Sequence, residues 1–331
     1  MMKIVSQTRL WVLLASTLIT VFISGSSAAQ TFALPPPETD VIGKVDYVYA
    51  KHEDTLADIA REWGLGYEEI VRANPDIDPW LPGSGSKVIL PTQYVLPRAP
   101  REGVVVNISE MRLYYFPKPA KDEPAQVVTY PISVGRVDWA TPLGLTKIVS
   151  KRKDPTWRPP ASILKEHADN GDPLPSVVPP GPDNPLGKFA LNLGIPGYLI
   201  HGTNKPAGVG MQVTHGCMRL YPENIKSLFE SVDVGVKVRL VDQPTKVGWL
   251  DNTLYIEVHE ALGQADETDS SDKTTAVKAI IDATHEREAS IEWSRLRLVV
   301  DQASGLPVPI SLPLSEQPAL KLESNVVSLS E

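Results

Sequence analysis

Hydrophobic residues near the start of the chain form one long run rather than a repeating pattern. Residues 10–23 are mostly apolar, Lys3 and Arg9 precede them, and the small residues 24–29 follow. A membrane-spanning helix needs about 20 apolar residues, and this run is shorter. We therefore predict a secretory signal peptide over residues 1–29, with an uncleaved anchor as the alternative. No later run reaches spanning length, so no integral membrane segment is expected after signal removal.

Residues 46–91 carry two short strand patterns around two helix patterns. Residues 47–49 and 87–90 are β-rich, and residues 67–73 predict a helix that ends before Asn74-Pro75. The first helix is predicted from apolar residues at helical spacing after Asp54 as the expected N-cap, namely Leu56, Ile59, Ala60 and Trp63. The pattern predicts a small βααβ domain, and residues 30–45, with three consecutive prolines, an extended linker.

Residues 101–241 change to a strand-rich pattern broken by turn residues, so we predict a mostly β domain. The predicted strands cover residues 103–108, 112–116, 127–134, 143–150, 188–193, 198–201 and 236–241. One helix is predicted at residues 222–231, because Pro222 suits a first helical position. Residues 154–187 hold nine prolines, which indicates a long loop, either a rim or lid over a site or a surface excursion.

Acidic residues outnumber basic ones by 40 to 32 in the 331-residue chain. This balance argues against a strongly basic nucleic-acid binder. Residues 242–331 alone contain 16 acidic and 7 basic residues. We predict an acidic C-terminal extension over 242–310, with a hairpin at 249–258, a mobile stretch at 265–275 and a strand or helix at 291–300. Residues 311–331 are expected to be a disordered tail.

The single cysteine, Cys217, rules out an internal disulfide and a multi-cysteine zinc site. It follows His215-Gly216, and His201 ends a predicted strand sixteen residues before it. A histidine can take the proton of a thiol and hold a thiolate–imidazolium pair. The amides of Gly216 and Cys217 are candidates for an oxyanion hole, and the Gly202 carbonyl for orienting His201. A buried inert cysteine and a His201/His215/Cys217 metal site remain alternatives.

The stretch "HGTNKPAGVGMQVTHGCMRLYPENI" resembles the signature of the L,D-transpeptidase catalytic domain, the YkuD family. The resemblance covers residues 101–241 and includes "GVVVNISEMRLYYF", "PISVGR" and "TPLG". It implies a β-sandwich catalytic domain. Residues 46–91 resemble a LysM module in "DTLADIA", "ANP" and "VILP". That second resemblance implies binding of N-acetylglucosamine-containing glycan strands, with a spacer that binds no ligand as the alternative.

The family resemblance also implies roles for individual residues. Cys217 would be the nucleophile, His201 its base and then an acid, while Gly216, Gly202 and His215 would support the oxyanion and the turn. Arg219 and Thr214 would bind substrate, although Arg219 is equally expected in a structural salt bridge. The resemblance implies a periplasmic enzyme of cell-wall biogenesis with no cofactor and no metal. Its partners would be peptidoglycan stem peptides and, as amine acceptor, a Braun-type lipoprotein; alternatives are a 3-3 crosslinking enzyme, a hydrolase and a non-enzymatic wall-binding protein.

Overall fold

A computed structural model describes residues 29–262 and 268–312 of this mixed α/β chain. The predicted signal peptide up to residue 28 and the predicted tail from residue 313 lie outside the described residues. Within these ranges, no helix is both long enough and apolar enough to cross a membrane.

The helices and strands fall into three parts along the chain. The N-terminal part contains β1 Gln30–Ala33, β2 Val41–Gly43, β3 Asp46–Tyr49, α1 Leu56–Glu62, α2 Tyr67–Ala73, β4 Lys87–Leu90 and β5 Gln93–Val95. The central part contains β6 Gly103–Asn107, β7 Arg112–Phe116, β8 Gln126–Pro131, β9 Val134–Gly135, β10 Gly144–Lys153, α3 Ala161–Asp169, β11 Phe189–Leu193, β12 Leu199–His201, β13 Gln212–Thr214, β14 Met218–Arg219, α4 Pro222–Ser231 and β15 Lys237–Val241. The C-terminal part contains β16 Thr245–Leu250, β17 Thr253–Val258, α5 Thr268–Thr284, α6 Trp293–Gln302 and β18 Val308–Pro309.

The βααβ arrangement predicted for residues 46–91 is confirmed, since β3 and β4 pair antiparallel and both helices lie between them in sequence. Leu56 and Ile70 are fully buried in its core. The N-cap prediction was wrong by one residue: the hydroxyl of Thr55 accepts the N–H of Asp58 at 3.2 Å, and the Asp58 carboxylate accepts the N–H of Thr55 at 3.1 Å. This reciprocal capping box satisfies two donors at once, which Asp54 does not do.

The strand-rich prediction for the central part is also confirmed. Eight of its strands and β1 form one nine-stranded sheet in the order β1-β8-β7-β6-β15-β10-β11-β12-β14, and β9 pairs separately with β13. The described strands thus make one large sheet rather than the expected β-sandwich. Apolar residues from these strands and from α4 make the largest core, in which Ile200, Met218 and Leu228 have no exposed surface. The sheet edge formed by β12 and β14 therefore rests on a packed interior.

The predicted linker over residues 30–45 contains strands instead. β1 pairs antiparallel with β8 at the sheet edge, and β2 pairs antiparallel with β5. An edge strand is satisfied by a ladder on one side only, so a short polar segment such as Gln30–Ala33 can serve as one. The proline run lies between the two strands.

The proline-rich segment 154–187 contains α3, which the sequence analysis did not predict. Pro160 stands directly before the helix. Proline is well tolerated at a helix start, because its fixed φ suits the first turn and its missing N–H would have no helical partner. Ile163 is the buried residue of α3. A single buried position gives no repeating apolar pattern, so the sequence of α3 does not stand out as a helix.

The C-terminal part packs as a separate hydrophobic cluster around β16, β17, α5 and α6. The predicted hairpin is confirmed, with Asp251 at a φ of 52° in its turn. The stretch at 265–275, predicted to be mobile, overlaps α5, which begins at Thr268; residues 263–267 lie outside the described residues. The segment at 291–300, predicted to be a strand or a helix, forms a helix, α6.

A buried charged cluster fastens the C-terminal part to the central sheet. The Lys246 ammonium lies 2.8 Å from a carboxylate oxygen of Glu110 and 2.8 Å from one of Glu257, and all three side chains are at most 1% exposed. Glu257 also contacts His259 at 2.6 Å and accepts the N–H of Val95 at 2.6 Å. Such a cluster is stable only when each charge has its partners.

Candidate active site

Two neighbouring parallel strands carry the candidate residues: His201 ends β12, and Cys217 directly precedes β14. β12 and β14 pair with Ile200 opposite Met218 and His201 opposite Arg219. Side chains alternate between the two faces of a strand. Ile200 and Met218 point into the core, so His201 and Arg219 lie on the opposite face, and Cys217, two positions before Arg219, is directed to that face as well.

His201 is buried and neutral, and its hydrogen bond to a backbone carbonyl fixes its tautomer. Its side chain is 5% exposed, and its Nδ1 atom lies 2.6 Å from the carbonyl oxygen of Gly202, the contact expected from the sequence. A carbonyl only accepts hydrogen bonds, so Nδ1 carries the proton and Nε2 keeps its lone pair. Burial and, secondarily, the positive charge of Arg219 lower the pKa of His201 to about 3.

The thiol of Cys217 is half-buried and is also neutral before substrate binds. Its Sγ atom donates to the carbonyl oxygen of Gly197 at 3.6 Å. Burial raises the pKa of this thiol, and the N–H of Leu199 and the charge of Arg219 only partly oppose that effect. The unliganded site therefore favours a neutral thiol and imidazole over the thiolate–imidazolium pair that the sequence suggested.

The turn before Cys217 is held by two threonine hydroxyls. Thr214 Oγ1 donates to the carbonyl of Cys217 at 2.6 Å, and Thr141 Oγ1 donates to the carbonyl of Gly216 at 2.9 Å. In a trans peptide the N–H points opposite to the carbonyl, so fixing the Gly216 carbonyl also fixes the direction of the Cys217 N–H. Thr214 is buried and holds this turn, and its expected substrate contact stays a prediction.

Gly216 is required at this turn by both conformation and space. Its φ is +97°, and a Cβ there would lie 2.8 Å from Cε1 of Tyr198. Side chains rarely adopt this φ. The turn therefore depends on a glycine directly before the nucleophile candidate.

Arg219 lies beside Cys217, and its positive charge has no carboxylate partner among the described residues. Its Nε atom is buried without a hydrogen-bond partner, and in the part of the chain that the structure describes no carboxylate lies within salt-bridge distance of it. Burial lowers the pKa of its guanidinium. The structural salt bridge considered for Arg219 is therefore not formed among these residues, and a half-buried guanidinium with an unpaired Nε suits an incoming carboxylate.

His215 lies in a cluster that sequence reasoning missed. Its Nε2 atom lies 2.9 Å from a carboxylate oxygen of Glu166, in α3, and its ring contacts Trp139 edge-on with centroids 5.0 Å apart. Arg136 binds the other oxygen of Glu166 at 2.9 Å. These two contacts lower the pKa of Glu166. Nothing in the sequence near Glu166 marks it, because its partner lies 49 residues away.

The proline-rich segment thus borders the site through Glu166. The contact to His215 joins α3 directly to the turn that carries Gly216 and Cys217. Of the two interpretations of this segment, a rim over a site is the one that this contact favours.

A second group of ligating side chains lies away from Cys217. Within the described ranges, the ligand atoms of Glu110, Glu257 and His259 come within 4.8 Å of one another. These are members of the charged cluster in which the Lys246 ammonium already lies between the two carboxylates. The cation between these carboxylates is therefore the ammonium group of the chain's own Lys246.

Comparison with known proteins agrees with the geometry of the site. Residues 101–240 match the family model of the L,D-transpeptidase catalytic domain (YkuD). The chain is 38% identical over 292 residues to the probable L,D-transpeptidase YcfS of Escherichia coli K12, covering 85% of this chain and 88% of that protein. It is 37% identical to the probable L,D-transpeptidase ErfK/SrfK of the same strain, over 88% of this chain and 94% of that protein. It is 36% identical to the probable L,D-transpeptidase YbiS of that strain, over 92% and 99%. With its Cys217 and His201 on one face of the sheet edge, this chain belongs to the L,D-transpeptidase family and is an L,D-transpeptidase.

Proposed function

We propose that Cys217 transfers the acyl group of a peptidoglycan tetrapeptide stem to an amine. The observation that carries this is the hydrogen bond from Nδ1 of the buried His201 to the Gly202 carbonyl, which leaves the Nε2 lone pair free. A neutral base of this kind is ready to accept the proton of the thiol as it attacks. The attacked carbonyl is that of the L-centre of meso-diaminopimelate.

The proposed reaction has two steps in which His201 first gains and then loses a proton. The thiol of Cys217 gives its proton to Nε2 and adds to the carbonyl; the C–N bond then breaks, the imidazolium protonates the leaving amine, and D-alanine departs from a thioester. An acceptor amine then gives a proton to Nε2, attacks the thioester and restores the thiol. Both steps pass through an oxyanion, for which the N–H groups of Gly216 and Cys217 are the proposed donors.

Arg219 is the proposed partner of a stem carboxylate. Its unpaired buried Nε and its position on the same face as Cys217 support this role. A carboxylate would pair with the guanidinium, which has no carboxylate partner among the described residues, and the guanidinium can offer it two parallel hydrogen bonds. His215 and Gly202 are the proposed supports of the turn and of His201, as their contacts with Glu166 and with Nδ1 suggest.

The proposed acceptor is the C-terminal lysine of a Braun-type lipoprotein. Two further outcomes share the same thioester: a second diaminopimelate side chain as acceptor gives a 3-3 crosslink, and water gives hydrolysis. Export to the periplasm and glycan binding by residues 46–91 as a LysM module complete the proposal. The βααβ arrangement of that unit supports the last part.

Mass spectrometry of purified muropeptides tests the proposed reaction. The enzyme is incubated with disaccharide tetrapeptide alone, or with a peptide that ends in lysine. We expect D-alanine release and a product joined to the lysine peptide, and neither with Cys217→Ala. Products that carry water or a second stem in place of lysine would overturn the proposed acceptor, and transfer by folded Cys217→Ala would overturn the proposed nucleophile.

The proposed wall binding and location have their own tests. Sedimentation with purified peptidoglycan should retain the wild-type protein and lose a chain that lacks residues 46–91, and equal sedimentation of both would contradict the LysM proposal. Fractionation of cells that express the full chain should place it in the periplasmic fraction.

A further inference from the structure

The βααβ unit touches the segment before the Cys217 turn through backbone atoms. The N–H of Tyr67 donates to the carbonyl of Val209 at 3.0 Å, and the N–H of Glu68 donates to the carbonyl of Gly210 at 3.1 Å. Both donors belong to the first turn of α2, where a helix leaves its N–H groups without helical partners. The segment that precedes β13 therefore completes the hydrogen bonding of α2.

Two glycines make this close approach possible. A Cβ on Gly66 would lie 2.8 Å from the Cα of Gly210, and a Cβ on Gly210 would lie 2.3 Å from the Cα of Gly66. Gly210 has a φ of +84°, whereas Gly66 has an ordinary φ of −86°. At Gly66, therefore, the requirement for glycine comes from the neighbouring segment and not from its own backbone.

Side chains around the two glycines hold the units against each other. The carboxylate of Glu69 accepts the N–H of Gly66 at 2.9 Å and pairs with Arg112, which is fully buried in β7. On the other side of α1, Arg61 makes two hydrogen bonds of 2.9 Å with Glu223 in α4. A buried pair and a two-point surface pair thus fix the unit on the central part.

The contacted segment leads directly into the catalytic turn. The carbonyl of Met211 accepts the N–H of Val134 at 3.3 Å, β13 pairs with β9, and Thr214 holds the carbonyl of Cys217. Cys217 follows Gly210 by only seven positions in the chain. A shift at Gly210 is therefore carried along a short, hydrogen-bonded path to the thiol.

We propose that the first turn of α2 positions the Cys217 turn through the Gly66–Gly210 contact, so that the βααβ unit is a structural part of the active site. Gly66 and Gly210 are positioning residues in this proposal, since neither reaches the reacting atoms. The proposal rests on the proposed function only in taking Cys217 as the acylated group.

Substitution of Gly66 by alanine tests the contact without adding backbone strain. The rate of Cys217 acylation by a carbapenem is followed by intact-protein mass, and near-ultraviolet circular dichroism measures the folded fraction. For folded Gly66→Ala we expect the maximal acylation rate to fall about tenfold or more, with little change in the half-saturating concentration, because misplacement of a reacting group costs rate rather than binding.

Two further glycine variants separate contact from strain. Gly210→Ala should behave like Gly66→Ala. Gly85→Ala is the matched control for Gly210→Ala, because Gly85 has the same φ of +84° as Gly210 and nothing lies within 4 Å of an added Cβ. We expect Gly85→Ala to acylate at the wild-type rate. Wild-type acylation by folded Gly66→Ala would overturn the proposal.

Two additional measurements separate loss of the Gly66–Gly210 contact from loss of the fold and from failure of the proposed function. If Gly66→Ala does not fold, Arg61→Gln loosens the same interface at its exposed edge and should lower the acylation rate about two- to fivefold; an unchanged rate would overturn the proposal. If the wild-type chain fails to react with the carbapenem, the proposed function is at fault. Alkylation of Cys217 by iodoacetamide then reports on the turn: its pH midpoint should move by about half a unit or more in Gly66→Ala and stay in place in Gly85→Ala.

Discussion

The buried neutral state of His201 makes the stability of the fold depend on pH. Its pKa falls from an ordinary 6.5 to about 3 in the folded chain. Between these values the unfolded chain binds the proton and the folded chain does not, so stability is complete above pH 6.5 and is lost as the pH falls toward 3. For this one group the loss from pH 7 to pH 5 is about 2 kcal/mol, and the full loss is about 5 kcal/mol.

Urea denaturation at pH 7 and pH 5 measures this contribution directly. The free energy of unfolding of the wild-type chain should fall between the two pH values by about 2 kcal/mol more than that of His201→Gln, which has no imidazole to protonate. His52→Gln removes an exposed histidine and serves as the control, with the wild-type difference expected. Equal losses in wild type and His201→Gln would refute the argument, because they would mean that the folded chain protonates His201 as readily as the unfolded chain does.

Three other substitutions test individual contacts. Gly216→Ala should lower the acylation rate at least tenfold and destabilise the fold by about 1–3 kcal/mol, since its Cβ meets Tyr198 at 2.8 Å; an unchanged rate would contradict the strained turn. Glu69→Gln leaves Arg112 buried without a carboxylate and should cost about 3–5 kcal/mol in urea denaturation, and a cost below about 1 kcal/mol would argue against that pair. Lys246→Met removes the ammonium that lies between the buried carboxylates of Glu110 and Glu257 and should cost about 3–5 kcal/mol in urea denaturation; a cost below about 1 kcal/mol would argue against this charged cluster.

The neutral resting state has a consequence for how the enzyme chooses its targets. Because burial raises the pKa of the Cys217 thiol, small electrophiles in the surroundings meet a thiol rather than a thiolate. In the proposed mechanism, proton transfer to His201 is then coupled to attack on a bound carbonyl. This protects an unpaired cysteine that is expected to work in an oxidising compartment.

The positive charge of Arg219 acts on the pKa of both His201 and Cys217. Its positive charge lowers the pKa of His201 and also opposes the rise in the pKa of Cys217. The same residue therefore disfavours the imidazolium and favours the thiolate. A carboxylate bound to Arg219 would weaken the first effect and so make His201 a stronger base when substrate is present.

Local patterns in the sequence were enough to propose the reacting residues and to predict their local structure. The spacing of His201 and Cys217 predicted that a strand end and a glycine turn would carry the reacting groups, and the contact of His201 with the Gly202 carbonyl involves an adjacent residue. The two helices of the βααβ unit were predicted for the same reason, since helical periodicity and caps act over a few residues.

Contacts between residues far apart in sequence were decided only by the tertiary structure. Glu166 contacts His215 across 49 residues, β1 pairs with β8 across almost a hundred, and Lys246 pairs with Glu110 across 136. The protonation state of His201 is likewise a property of burial, which no local pattern reports. The sequence alone therefore determined the family and the candidate reacting residues, whereas packing decided the protonation of His201 and Cys217 and their neighbours from distant parts of the chain.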